Sequence, residues 1–167
     1  LQDRRAMELD LQAALKRDEL ELHYQPVLDI ETEERLGYEA LIRWNHPTKG
    51  MVMPNDFIPI AEATGLIIQL GEWVIRTALH ELKNWPEHLN VSVNLSPAQM
   101  RSPNLLSTII NGLASAGVEP HRLELEITET VIMSHNQSNF DLLNKIHSLG
   151  VQVALDDFGT GYSSLNY

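Results

Sequence analysis

Hydrophobic residues recur along this chain with two periods, and the changes of period mark the predicted elements. From Arg4 to Asp18, Met7, Leu11, Ala14 and Leu15 fall at helical spacing among charged residues, which predicts a lead-in helix. Glu21 to Val27 alternates as a strand, Asp29 to Glu34 is a polar turn, and Arg35 to Trp44 alternates again. The two strands are expected to form a hairpin. Asn45 to Gly50 reads as a loop, after which Asn55 or Asp56 can cap a short helix that Gly65 stops. Gly71 to Trp85 carries Trp73, Val74, Ala78, Leu79, Leu82 and Trp85 on one stripe, an amphipathic helix with Pro86 just beyond it. From there strands and helices alternate. Asn90 to Ser96 is a strand and Asn104 to Ala116 a helix ended by Gly117. Arg122 to Thr128 is a strand, Asn136 to Leu149 a helix ended by Gly150, and Val151 to Asp156 another strand. Alternation at about 30 residues per unit is the signature of βαβ crossovers and a parallel sheet.

The ends of these strands carry the informative residues. In Val91-Ser92-Val93-Asn94-Leu95 the apolar residues share one face and Asn94 points to the other. Leu123 to Ile127 repeats that pattern with Glu126, Val151 to Asp156 with Asp156, and Leu36 to Leu41 with Glu39. The apolar set can therefore face surrounding helices while Glu39, Asn94, Glu126 and Asp156 converge on the opposite face, each expected late in its strand. In a β/α barrel that position is the active-site rim. Any one of these residues alone would be better explained by a solvated sheet face, but four of the same chemistry at matching positions favour a site. With Asp157 they form a set of hard oxygen donors whose carboxylates cannot all stay ionised together without a cation. Oxygen donors without cysteine or paired histidine favour Mg²⁺ or Mn²⁺ over Zn²⁺. The adjacent Asp156 and Asp157 suit a ligand shared between two ions, the arrangement used for in-line attack on phosphate esters.

Composition removes other classes. The 167 residues are 43% hydrophobic, enough for one domain with an ordinary core. The absence of cysteine rules out disulfides, thiolate zinc sites, iron–sulfur clusters and cysteine nucleophiles. A net charge of −11 argues against a nucleic-acid polymer or an anionic membrane as partner. It leaves room for a small anion, because a metal ion or one local Arg reverses the sign inside a pocket. No apolar run approaches the roughly 20 residues of a membrane helix. The start, Leu1-Gln2-Asp3-Arg4-Arg5, is neither an initiator Met nor a signal peptide. A cytoplasmic domain within a longer chain is the expectation, and that longer chain can be membrane-anchored through other domains.

Several strings in the chain are then specific. Glu39-Ala40-Leu41-Ile42-Arg43-Trp44 resembles the signature of the EAL domain family, which hydrolyses the bacterial second messenger cyclic di-GMP. Tyr24-Gln25-Pro26 resembles that family's first strand, Val93-Asn94-Leu95-Ser96 its Asn-containing strand, and Glu126-Ile127-Thr128-Glu129 its Glu-x-Thr-Glu element. Asp156-Asp157-Phe158-Gly159-Thr160-Gly161-Tyr162-Ser163-Ser164-Leu165 is similar to the long loop after the fifth strand. The likeness covers residues 19 to 167, with residues 1 to 18 read as a lead-in helix or linker from an upstream domain.

The resemblance implies a modified (β/α)₈ TIM-like barrel whose first strand runs antiparallel. It implies metal ligation by Glu39, Asn94, Glu126, Asp156 and Asp157, with Glu39, Asp156 and Asp157 in catalytic roles. Gln25, Leu41 and Arg43 match positions that contact the dinucleotide, and Phe158, which follows the two aspartates, is added as a substrate contact. Glu129 matches the residue that steadies the Asp-Phe-Gly loop. The implied cofactors are two Mg²⁺ or Mn²⁺ ions, with Ca²⁺ inhibitory. The implied reaction opens cyclic di-GMP to linear pGpG, the implied assembly is a homodimer, and a sensor or GGDEF-type domain is expected upstream. A complete barrel needs about 250 residues, so the chain holds about the first five strands. The family's catalytic Lys, a later metal-binding Glu and a late Gln would lie beyond Tyr167. A second reading of the same residues is a module that binds the dinucleotide without hydrolysing it.

Other strings carry less. Asp157-Phe158-Gly159 is also the kinase metal triplet, but no Gly-rich loop, His-Arg-Asp or strand lysine accompanies it. Gly159-x-Gly161 lacks the third glycine of a nucleotide-binding fingerprint. The histidines show no metal spacing, and His46 reads as structural. Trp73 and Trp85 read as helix packing.

Overall fold

A computed structural model of the chain describes residues 2–133 and 137–156. Its elements are α1 (Gln2–Ala14), β1 (Leu20–Leu28), β2 (Arg35–His46), β3 (Gly50–Val52), α2 (Pro54–Thr64), α3 (Leu66–Leu82), β4 (Asn90–Leu95), α4 (Pro97–Met100), α5 (Leu105–Ala116), β5 (Leu123–Thr128), α6 (Glu129–Met133), α7 (Gln137–Ser148) and β6 (Gln152–Asp156). One mixed sheet runs β1-β2-β4-β5-β6, with β3 off this path and paired to the C-terminal end of β2. β1 and β2 form the expected antiparallel hairpin, and β2, β4, β5 and β6 are parallel neighbours. The arrangement is a partial β/α barrel with a reversed first strand.

Apolar alternation explains why the sheet closes on its helices. Val91, Val93 and Leu95 of β4 and Leu123, Leu125 and Ile127 of β5 are buried against Ile75, Leu79 and Leu82 of α3 and Ile109 and Leu113 of α5. A second cluster joins Leu11 and Ala14 of α1 to Trp44, Val52, Phe57, Ala61 and Leu70, so the first helix belongs to the packed body of the fold. Trp73 and Trp85 are half-buried helix-packing residues, as expected, and Trp85 meets Tyr24 and Tyr38 edge-on at 5.0 Å.

Four local expectations are corrected. Asn45 to Gly50 is not a free loop: β2 runs on to His46, and Gly50–Val52 returns against it. Buried His46 holds that turn. Its Nδ1 accepts from the backbone of Thr48 (3.2 Å) and Lys49 (3.3 Å), which leaves the proton on Nε2 to face Asp10 Oδ2 at 3.1 Å. The helix near residue 55 starts at Pro54, with Met53 rather than Asn55 or Asp56 at the cap; proline at the first position has no N–H to satisfy. Gly65, at φ 79°, both ends α2 and opens α3, which therefore starts at Leu66 and not at Gly71. Leu66, Ile67 and Leu70 extend the buried stripe backwards past the glycine. Finally, α3 stops at Leu82 rather than Trp85, because the chain beyond it is held by Arg122. That buried guanidinium donates to the carbonyls of Leu82, Trp85, Pro86 and Leu89 at 3.0 to 3.4 Å. No helix among the described residues is long and apolar enough to cross a membrane.

Candidate active site

Strand register brings the expected residues together. Gln25 pairs with Glu39, Glu39 with Ser92, Ser92 with Glu124, and Glu124 with Gln152. Neighbours in register share a face, so these five polar residues form one row across the sheet, opposite the helix-packed side. Two positions further along, Asn94 pairs with Glu126 and Glu126 with Ala154. Glu39, Asn94 and Glu126 are all half-buried on this face. The stagger between Glu39 and Asn94 is crossed by a hydrogen bond: Asn94 Nδ2 donates to Glu39 Oε1 at 2.7 Å.

That bond fixes the chemistry of the asparagine. A carboxylate only accepts, so the amide nitrogen must face Glu39, and Oδ1 is the atom Asn94 offers elsewhere. An amide oxygen beside two carboxylates is a hard, oxygen-only donor set, and it fits Mg²⁺ or Mn²⁺. One row below, Ser92 Oγ donates to Glu124 Oε1 at 2.8 Å. Parity could have found this second pair, since Ser92 and Glu124 alternate with Asn94 and Glu126, but a lone serine and a surface-type glutamate gave no reason to choose them.

Glu39 is the fifth of the twelve residues in β2, not late in its strand as expected. The discrepancy has a cause. β2 continues to His46 through its antiparallel partners β1 and β3, whereas its parallel pairing with β4 ends at Ala40 and Val93. Measured against the parallel sheet, Glu39 stands at the end.

Of the expected substrate contacts, Gln25 is exposed on β1 beside Glu39, and Leu41 is buried, level with His23. Arg43 is half-buried, level with Glu21, and its Nη1 donates to the carbonyl of Ile42 at 2.8 Å. Glu21 is held below the usual carboxylate range chiefly by its hydrogen bond with His23, at 2.7 Å, and then by Asn45. Glu129, half-buried, opens α6 directly after β5. The backbone at position 156 is level with Thr128. The side chain of Asp156, all of Asp157 and Phe158, and the loop through Leu165 lie outside the described residues. Among the described residues no group of three or more His, Asp and Glu is gathered as a metal site; the described part of the expected set is two carboxylates and one amide. Two larger hollows, of about 440 Å³ between α3 and α5 and about 730 Å³ beside α7, are lined by helix and loop residues and not by the strand face carrying Glu39.

Comparison with known proteins adds the context for this geometry. The family model described as EAL domain matches residues 8–167. The chain is 43% identical over 165 residues to the cyclic di-GMP phosphodiesterase NbdA of Pseudomonas aeruginosa, covering 96% of this chain and 21% of that protein. It is 41% identical over 162 residues to the bifunctional diguanylate cyclase/cyclic di-GMP phosphodiesterase MucR of the same organism, covering 95% of this chain and 24% of that one. The solved structure of the PaMucR phosphodiesterase in its c-di-GMP complex superimposes with a TM-score of 0.89 at 40% identity, over 95% of this chain and 66% of that one. The chain thus spans between a fifth and a quarter of the length of the curated relatives it matches.

Proposed function

The chain belongs to the EAL domain family, and from that premise we propose that it serves the metal-dependent hydrolysis of cyclic di-GMP to linear pGpG. The observation that carries this reading is the 2.7 Å contact between Asn94 and Glu39, on the strand face they share with Glu126. Glu39, Asn94 and Glu126 would hold one Mg²⁺ or Mn²⁺ together with Asp156, and Asp156 with Asp157 would share a second. Such ions supply Lewis-acid polarisation of the phosphate and neutralise its charge.

The chain's own residues prepare that site. Glu39 and Glu126 bring the negative charge that makes a dication favourable in a partly dehydrated place. Asn94 adds an oxygen donor without a third charge, and its N–H anchors Glu39 in one rotamer. Arg43, Leu41 and Gln25 continue the same face along β2 and β1, offering a guanidinium for phosphate or guanine, an apolar wall, and an amide for base or ribose. Glu129 would steady the loop that carries Asp157 and Phe158. Hydrolysis adds one water across one of the two phosphodiester bonds, leaving a terminal phosphomonoester on a linear dinucleotide. A homodimer and an upstream sensor or GGDEF-type domain complete the proposed setting.

The test is incubation of the full-length protein with cyclic di-GMP and Mg²⁺ or Mn²⁺, with separation of the nucleotides by chromatography. Linear pGpG should accumulate with wild type and not with Glu39→Ala. Tight binding of an unchanged cyclic dinucleotide would overturn hydrolysis and establish a sensor.

A further inference from the structure

β2 and β4 part company just above the site. Their pairing ends at Ala40 and Val93, while β4 continues beside β5 to Leu95. The wedge between them contains a cavity of about 20 Å³ lined by Ala40, Ile42, Leu70, Gly71, Asn94 and Gln99, among others. Gln99 comes from the short α4 that follows β4, and it is 3% exposed. Its Oε1 accepts from the backbone N–H of buried Ser96 at 3.0 Å, and Ser96 Oγ accepts in return from the backbone N–H of Gln99 at 3.3 Å. Because Oε1 is committed to an N–H, Nε2 must point the other way. It rests on Gly71 in the middle of α3, where an added Cβ would collide with it. Among the described residues Nε2 has no hydrogen-bond partner. A donor this deeply buried is costly to leave unmade, and Asn94 is the other polar side chain lining the cavity it adjoins.

We propose that Gln99 is a positioning residue for Asn94: seated on Gly71, its amide closes the wedge between β2 and β4 and so keeps Asn94 within hydrogen-bond distance of Glu39. The capping interaction acts on the backbone two residues after Asn94, and the cavity-facing N–H acts beside Asn94 itself. Gly71 serves the same end from the helix, since only a residue without Cβ lets the amide reach the wedge. The metal-binding consequence rests on the functional reading above, but the effect on Asn94 does not.

The experiment therefore reads both on the full-length protein. The side-chain amide protons of Asn94, assigned by their loss in Asn94→Ala, report the bond to Glu39 in metal-free protein. Titration with Mn²⁺ alone reports the site. Gln99→Met should speed exchange of those protons about tenfold and weaken Mn²⁺ about tenfold, the scale of losing a supporting contact to a ligand. Gly71→Ala should do the same from the other side, and the double variant should lose little more than either single one, because both break one contact. If Gln99→Met does not fold, Gln99→Asn, shorter by one methylene, takes its place. Unchanged exchange of the Asn94 amide in a folded Gln99 variant overturns the positioning role. Faster exchange with no Mn²⁺ binding even in wild type keeps that role and overturns the metal reading instead.

Discussion

Asn94 and Glu39 are 55 residues apart in sequence, on two parallel strands, yet Asn94 Nδ2 sits 2.7 Å from Glu39 Oε1. The asparagine is the only neutral member of the expected donor set, and its neutrality is what allows so close an approach without a cation. Asn94→Asp removes that freedom. Two carboxylates in contact cannot both stay ionised comfortably, so the metal-free variant should lose about 1–3 kcal/mol at neutral pH. Mg²⁺ should restore more stability to the variant than to wild type. Melting curves with and without Mg²⁺ decide this; equal melting temperatures for both proteins in chelator would show that the contact carries no energetic weight.

Glu39→Ala tests the site from the other side of the bond. The residue is half-buried on the polar face, not in either hydrophobic cluster. Its loss should abolish turnover while the melting temperature moves little. Wild-type rates in the variant with added Mg²⁺ would dismiss the metal assignment.

Calcium offers a discrimination without mutation. Its larger, looser shell accepts the same oxygen donors but does not impose the compact octahedral geometry of Mg²⁺. It should therefore compete with Mg²⁺ for binding and suppress hydrolysis. Robust turnover in Ca²⁺ alone would contradict that expectation.

How far these features were legible in the sequence follows from their range. The hairpin, the parallel strands and the shared face of Glu39, Asn94 and Glu126 rest on a period of two, which a run of five or six residues displays. The short elements β3, α4 and α6 have three to five residues each, too few to establish any period. Gly71 misplaced the start of α3 because a glycine in a helix interior normally marks a boundary. Here it marks a neighbour, the Gln99 amide, that sequence spacing cannot reveal. The Ser92–Glu124 pair and the four-carbonyl contact of Arg122 are likewise tertiary facts, joining residues more than 30 positions apart.

Arg122 supports the fold from the end opposite the site. It precedes β5, is 7% exposed, and satisfies carbonyls at the end of α3 and in the turn after it. Arg122→Met should cost about 2–4 kcal/mol, because several buried acceptors lose a charged donor at once. Arg122→Lys keeps the charge but not the fork and should fall between. Neither should change metal affinity, since Arg122 lies at the barrel floor, which serves stability, while the rim serves chemistry. Chemical denaturation paired with Mn²⁺ titration separates the two; a variant as stable as wild type would refute the clamp.

Tyr24 supplies a pH signature. Its hydroxyl is pushed up to about 12, first by burial and then by the negative charge of Glu81. The ring stands edge-on to Trp85 at 5.0 Å on the helix-packed side of β1. Below the ordinary tyrosine value near 10 the hydroxyl is neutral in folded and unfolded chains alike, and the group has no effect on the pH dependence. Between about 10 and 12 the unfolded chain releases this proton while the folded one retains it. The unfolded state then binds fewer protons, and stability falls as pH rises through that window. Tyr24→Phe should remove this part of the alkaline loss and delete one late-titrating component from the phenolate absorbance curve. The component belongs to one of four tyrosines in the chain, so the difference spectrum between wild type and variant isolates it. A difference curve centred near 10 rather than 12 would mean that Tyr24 reaches water freely and that the packing of β1 on Trp85 is looser than the structure has it.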